Sequence, residues 1–344
     1  MDKNNLDKKI DKYCAENSIS GVLRVTIKNN IVYQKAVGYA DFENKIPFDD
    51  NSMFTFYSLS KPFCTIGLMK LKEKGLIDLD AHPSKYLPEA RRFNSKITIR
   101  NLLYHESGIP DFLQEQSFAQ KYAPGTHDKL REHLLLISDY PQYFEPGTEF
   151  RYTNINFIIC ALIIENVSGM KYSDYMKREV FMPLGMTTAQ IDDENLFVEN
   201  RVKGYSLIDG MLQPVNKGYD WMLGGGDIIG RVDDVYCLNK AIKNKLLLSE
   251  QTWQEILTPS RISEMGMGCM ITDWHGKLRI SHNGGHIGFR TLHAQVPEDD
   301  FDLIFMSNSG FGDARYALGE IVYSEFYGDD GKIEKHLAMD VGYI

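Results

Sequence analysis

The sequence has no long apolar run, no cysteine framework and no excess of positive charge. Its longest apolar stretch, Phe157 to Ile164, falls far short of the ~20 residues a helix needs to span a bilayer. The first ten residues, MDKNNLDKKI, are polar and lack the apolar core of a secretory leader. A soluble, cytoplasmic protein is expected, or a periplasmic or extracellular one if a leader has been removed. The five cysteines (Cys14, Cys64, Cys160, Cys237 and Cys269) are scattered, odd in number and form no C-x-x-C pair. They are expected as reduced core residues, not as a disulfide or zinc framework. The net charge is −9, from 38 Lys and Arg against 47 Asp and Glu. Without a basic stripe, that balance makes nucleic acid and anionic membrane poor partners. Internal repeats, low-complexity tracts and long linkers are missing too.

What is present suits a globular protein with a real core: 344 residues, 43% hydrophobic and 25% charged. Residues 1–16 read as an amphipathic helix. Gly21 to Ala40 alternates around Lys28-Asn29-Asn30, as a β-hairpin does. Residues 58–75 carry a helical period ending before Gly75, and Asn156 to Val167 forms an apolar helix stopped at Ser168-Gly169. From Gly266 to Ser307 the pattern is strand-like, and Asp313 to Tyr327 reads as a helix. Strands therefore lie at both chain ends and helices between them. The expected fold is α+β: residues 1–75 and 251–344 build an antiparallel sheet flanked by helices. Residues 76–250 form an inserted, mostly helical domain, and the site lies at the junction.

Three motifs carry chemistry. In Ser58-Leu59-Ser60-Lys61 a hydroxyl and an amine lie three apart, on one helical face. The hydroxyl needs such a neighbour to take its proton, and an extended Thr55-Phe56-Tyr57 would place Ser58 near a helix N-terminus. A second S-x-x-K, Ser168 to Lys171, contains a glycine and reads as a helix end. Tyr152-Thr153-Asn154 follows a Glu145-Pro146-Gly147 turn. A phenol beside an ammonium ionises more readily and can act as a base, and Asn154 can accept from Lys61 and donate to a substrate carbonyl. An N-cap asparagine with a packing tyrosine is the alternative. His282-Asn283-Gly284 follows a strand read as Leu278 to Ser281. It offers either a substrate-pairing edge with a cationic or hydrogen-bonding side chain, or a glycine-rich hairpin turn with an incidental histidine. Metal and phosphate readings fail: glycines separate His282 from His286, and Leu223 to Asp227 lacks the phosphate-loop residues.

In order and spacing these motifs resemble the serine β-lactamases and penicillin-binding D-alanyl-D-alanine peptidases, where S-x-x-K carries the nucleophile. Within that superfamily the chain is most similar to the class C-like branch. Asn101 to Pro110 (NLLYHESGIP), Glu145-Pro146-Gly147 through Asn154, Gly224 to Asp227, Met265 to Gly268 and Gly285 to Phe289 carry the similarity, which spans roughly residues 10 to 325. The resemblance implies a β-lactamase/transpeptidase-like fold and a serine hydrolase that needs no cofactor or metal. It implies Ser58 as nucleophile, with Lys61 and Tyr152 moving protons. Asn154, His282, Asn283 and Gly284 would hold substrate. The Ser58 N–H, with one from the strand after His282, would form the oxyanion hole.

His282-Asn283-Gly284 stands where class C β-lactamases carry Lys-Thr-Gly. A partly charged histidine grips a β-lactam carboxylate less firmly than lysine, and Arg290 is either a fixed cation for it or a surface residue. His105 is read as structural. The expected activity is an esterase or D-amino-acid peptidase or carboxypeptidase on a small ester, amide or peptide, rather than an efficient β-lactamase. A non-catalytic relative binding a penicillin-like or peptidyl ligand, or a partner, is the alternative. Loops 111–144 and 205–225 would shape the pocket. Their aromatics Tyr122, Tyr143, Tyr219 and Trp221 either line it or pack. Oligomeric state is not readable.

Overall fold

The computed structural model describes residues 2–112, 114–121, 127–192, 197–215, 222–309 and 314–328. The chain opens with α1 (Lys3–Glu16) and the hairpin β1 (Gly21–Ile27) and β2 (Asn30–Val37), followed by β3 (Phe54–Thr55). Next come α2 (Lys61–Glu73), α3 (Ile99–Leu103), α4 (Gln116–Lys121), α5 (His127–Ile137), α6 (Ile155–Ser168) and α7 (Tyr172–Met176). Short strands β4 (Gln190–Ile191), β5 (Tyr205–Ile208), β6 (Met211–Pro214) and β7 (Ile228–Gly230) interrupt the middle, then α8 (Val232–Asn244) and α9 (Glu250–Leu257). The chain closes with β8 (Met270–Trp274), β9 (Lys277–His286), β10 (Phe289–Val296), β11 (Phe301–Ser307) and α10 (Arg315–Tyr327).

Both ends of the chain build one antiparallel sheet in the order β2-β1-β11-β10-β9-β8. The α+β architecture expected from the sequence is the one found. Lys28 and Asn29 both take positive φ, which a two-residue hairpin turn requires and asparagine tolerates. β11 is buried along its whole length because both its faces are covered. Leu303 and Phe305 pack with Leu6, Ile10 and Cys14 of α1 and with Leu318 and Val322 of α10. Ile304 and Met306 join the larger core, which holds α2 and α6. From Ile155 to Ile164 α6 is buried on every side, as an all-apolar helix must be. It ends at Gly169 in the left-handed region, so the second S-x-x-K is a helix terminus. Among the described residues, no single helix is long and apolar enough to cross a membrane. All five cysteines are buried and unbridged.

Two local readings change. β9 does not stop at Ser281 but runs through His282-Asn283-Gly284-Gly285 to His286, paired with β10 from Phe289 onward. The hairpin turn is therefore Ile287-Gly288, not the glycine motif. At the other strand, β8 starts at Met270, because Gly266 to Cys269 forms a turn closed by Gly266 N donating to the Cys269 carbonyl.

Candidate active site

Ser58 sits where the β3–β7 pair meets the β9–β10 hairpin. The extended entry ends at Thr55, where β3 pairs with β7. Tyr57 takes a positive φ, unusual for a bulky residue, and opens a 3₁₀ turn, Tyr57–Ser60, leading into α2. Such a turn nearly eclipses positions three apart, bringing Lys61 over Ser58. The β9–β10 hairpin clamps it: Tyr57 Oη donates to the Ile287 carbonyl at 2.7 Å, and Thr291 Oγ1 donates to the Phe56 carbonyl at 2.8 Å. From the other side, Ile228 N donates to Ser60 Oγ at 3.0 Å. Strain at Tyr57 persists because these bonds over-determine it.

Gly284 makes the approach possible. A methyl group there would lie 2.0 Å from the Phe56 carbonyl oxygen and 2.4 Å from Thr291 Oγ1. We expect Gly284→Ala to cost about 1–3 kcal/mol in denaturant unfolding, as overpacking does, and to slow labelling of Ser58. A variant as stable and reactive as wild type would show that β9 does not fix the serine.

Lys61 is the hub. It is fully buried, and its Nζ contacts Ser58 Oγ at 3.0 Å, Asn154 Oδ1 at 2.8 Å and the Gly225 carbonyl at 2.6 Å. Burial pushes its pKa down to about 7, although Asp111, Asp227 and Cys64 favour the charged form. Asn154 occupies the N-cap position of α6 but caps nothing with its side chain. Its Oδ1 serves the lysine, while Nδ2 is buried with no partner among the described residues. The Tyr152 ring lies 4.7 Å from Lys61 Nζ and stacks on His105 at 4.3 Å. His105 Nδ1 accepts from Thr153 N at 3.2 Å, and its carbonyl accepts from Arg151 N at 3.0 Å, so His105 holds the segment that carries Tyr152.

His282 is buried on β9, its ring 6.3 Å from that of Tyr152. Burial, with the Lys61 charge beside it, pushes its pKa down to about 3. It is thus neutral at physiological pH, not partly cationic. Nδ1 lies 2.6 Å from the Asn283 carbonyl, which can only accept, so Nδ1 carries the proton and Nε2 is a bare acceptor. Asn283 Nδ2 donates to Tyr316 Oη at 2.6 Å. Arg290 sits opposite Gly285 in the sheet, and its Nη1 donates to the carbonyls of His286 and Phe289. Arg315, at the start of α10, donates from Nη1 to the Gly284 carbonyl at 2.9 Å.

A buried lysine hydrogen-bonded to a serine and an asparagine, with a tyrosine ring beside it, matches a known family. The beta-lactamase family model matches residues 6–323. The chain belongs to the beta-lactamase family. Penicillin-binding protein 4* of Bacillus subtilis is 27% identical over 317 residues, 85% of this chain and 69% of that protein. The octameric penicillin-binding protein homologue from Pyrococcus abyssi superposes with a TM-score of 0.85 at 23% identity, covering 95% of this chain and 78% of its own. The D-amino acid amidase from Ochrobactrum anthropi SV3, complexed with L-phenylalanine amide, gives 0.78 at 24%, covering 94% and 97%. These two structural likenesses show the β-lactamase/transpeptidase-like fold. As a member of this family, the chain is a serine hydrolase.

Relative to the motifs, the beta-lactamase fold brings Ser58, Lys61, Tyr152, Asn154 and His282 together, with Gly284 against the serine's turn. Asn283 and Arg290 face partners within the protein. Tyr143 is also tied down, donating to Glu115 Oε1 at 2.6 Å, whereas Tyr122, Tyr219 and Trp221 lie outside the described residues. Motif reading misses Asp111, Asp227 and Arg315. Asp111 follows the SGIP segment and Asp227 ends the glycine-rich one, so both were within sight of a signal. Nothing local marks Arg315.

Proposed function

We propose that the chain hydrolyses a small ester or amide through an acyl-enzyme on Ser58. One observation carries this reading. A neutral lysine has two N–H groups and one lone pair, and Asn154 Oδ1 and the Gly225 carbonyl accept both hydrogens. The lone pair is then left toward Ser58 Oγ, ready to take its proton. Ser58 Oγ attacks the carbonyl carbon as its proton passes to Lys61. Tyr152 relays a proton to the leaving group. Water then attacks the acyl carbonyl, the acid departs and Ser58 recovers its hydrogen.

The substrate follows from His282. A β-lactam carboxylate needs a cation, and a neutral imidazole with its one N–H committed to Asn283 offers an acceptor instead. An acceptor suits an N–H on the substrate, which favours a D-amino-acid amide or peptide, and an ester without a carboxylate needs no cation, so both are favoured over a β-lactam. The fold shared with the Ochrobactrum amidase is compatible with this. The pairing of Lys61 with Tyr152, with no evident carboxylate base among the described residues, favours the class C-like branch.

Intact mass after incubation with a fluorophosphonate and, separately, a penicillin tests the acyl-enzyme. A panel of p-nitrophenyl esters, D-phenylalanine amide, a D-alanyl-D-alanine peptide and nitrocefin tests the substrate class. A fluorophosphonate adduct on Ser58 is expected, with kcat/KM for an ester or D-amino-acid substrate exceeding that for nitrocefin. No adduct on the folded protein would instead make it a binding module. Nitrocefin as best substrate would overturn the substrate class.

A further inference from the structure

Lys61 has two fixed acceptors, and each is anchored by a different buried carboxylate. Asp111 accepts a hydrogen bond from Asn154 N, the backbone of the residue whose Oδ1 holds the lysine. Asp227 Oδ2 accepts from Gly224 N at 2.8 Å, pinning the turn whose next carbonyl, Gly225, holds the lysine's other hydrogen. Both carboxylates are fully buried, and Asp227 makes no salt bridge with Arg or Lys among the described residues. Asp227 Oδ1 has no hydrogen-bond partner among those residues. Buried unsatisfied oxygens are rare and costly, and an asparagine could serve Gly224 N equally well. The turn alone therefore does not explain a carboxylate there.

We propose that Asp111 and Asp227 are positioning residues for Lys61, holding its two acceptors in place and supplying the negative charge that keeps its proton affinity in a working range. The inference rests on Lys61 being the base for Ser58. Without counter-charge, a fully buried amine stays neutral well below neutral pH and makes a feeble base. With too much, it stays protonated and has no lone pair. Two carboxylates at one remove, neither in direct contact, give an intermediate field. Consistent with this, Lys61 raises its charged form's stability through Asp111 first and Asp227 second, and Asp227 is itself pushed up to about 7 by burial. The other titratable groups facing the lysine are Cys64 on its own helix, His105 and Tyr152 beside it, and His282 on β9. Both histidines are held neutral by burial, so the two aspartates are the negative charges in this set.

The test reads the lysine directly. In protein labelled with ¹³C at lysine Cε, the Lys61 signal is assigned by its loss in Lys61→Met and titrated in wild type, Asp111→Asn and Asp227→Asn. Asparagine keeps an oxygen for the Asn154 or Gly224 N–H and removes only the charge. The Lys61 midpoint is expected to fall by about one pH unit in Asp111→Asn, and by less in Asp227→Asn, whose carboxyl is only partly ionised near neutrality. The rising limb of fluorophosphonate labelling should move the same way. Folded variants in which Lys61 titrates as in wild type would overturn the inference, even if activity fell. Should either variant not fold, reciprocity supplies the test: the Asp111 and Asp227 carboxyl titrations must move up in Lys61→Met, and unmoved titrations overturn the inference equally. Wild type that leaves Ser58 unlabelled, while Lys61 still responds to both aspartates, would overturn the acyl-enzyme reading and leave this coupling standing.

Discussion

Ser58→Ala is expected to abolish both the fluorophosphonate adduct and hydrolysis, lowering kcat by about 10⁴-fold or more. Among the described residues, the oxygen removed is the only nucleophile hydrogen-bonded to Lys61 Nζ, whose other two partners are an amide oxygen and a backbone carbonyl. The fold should survive. Neighbouring groups, not Ser58 Oγ, hold the turn: Tyr57 Oη, Ser60 Oγ and Thr291 Oγ1 make its anchoring bonds. Denaturant unfolding should therefore stay within about 1 kcal/mol of wild type. Measured turnover persisting in a homogeneous alanine variant would remove the acyl-enzyme altogether.

Lys61→Met is expected to lower the rate of Ser58 acylation by about 10³-fold, within the range for loss of a general base. Methionine fills a similar unbranched volume, so the change removes a base more than it opens a cavity. The pH dependence carries the sharper signature. With a pKa near 7, Lys61 is protonated below neutrality and has no lone pair for Ser58. Labelling of wild type should then rise with pH through about 7 and level off above it. In Lys61→Met that rise should vanish, leaving a slow and nearly flat profile across the same range. An unchanged rise in the variant would assign the titration, and the base, to another group, with Tyr152 the first to test.

Some of this was legible in the chain and some was not, and the division follows the range of the forces. The Lys28-Asn29 turn, the stop at Gly169 and the Ser58–Lys61 spacing are local: one or two residues' backbone preferences decide them. Glycines discourage a strand when taken alone, so the sequence ends β9 at Ser281. Pairing with β10 and the close approach of Phe56 to Gly284 extend it. The ordinary pKa of histidine makes His282 partly charged, and its burial and the neighbouring Lys61 are invisible in one dimension. Asp111 and Asp227 lie 50 and 166 positions from Lys61 in the sequence (111 − 61 and 227 − 61). No spacing rule reaches that far.

The order of residues alone determined the family, the mixed fold with its sheet drawn from both ends, and the serine, lysine and tyrosine proposed to carry the chemistry. These rest on periodicity and short motifs, which are properties of neighbours along the chain. Tertiary structure alone decided that Lys61 is buried and titrates near neutrality, that its nitrogen has two fixed acceptors, that His282 is an uncharged acceptor and that two carboxylates far along the chain anchor the lysine's acceptors. Protonation depends on what surrounds a group in space, because desolvation and unscreened charge act through the packed interior rather than along the backbone.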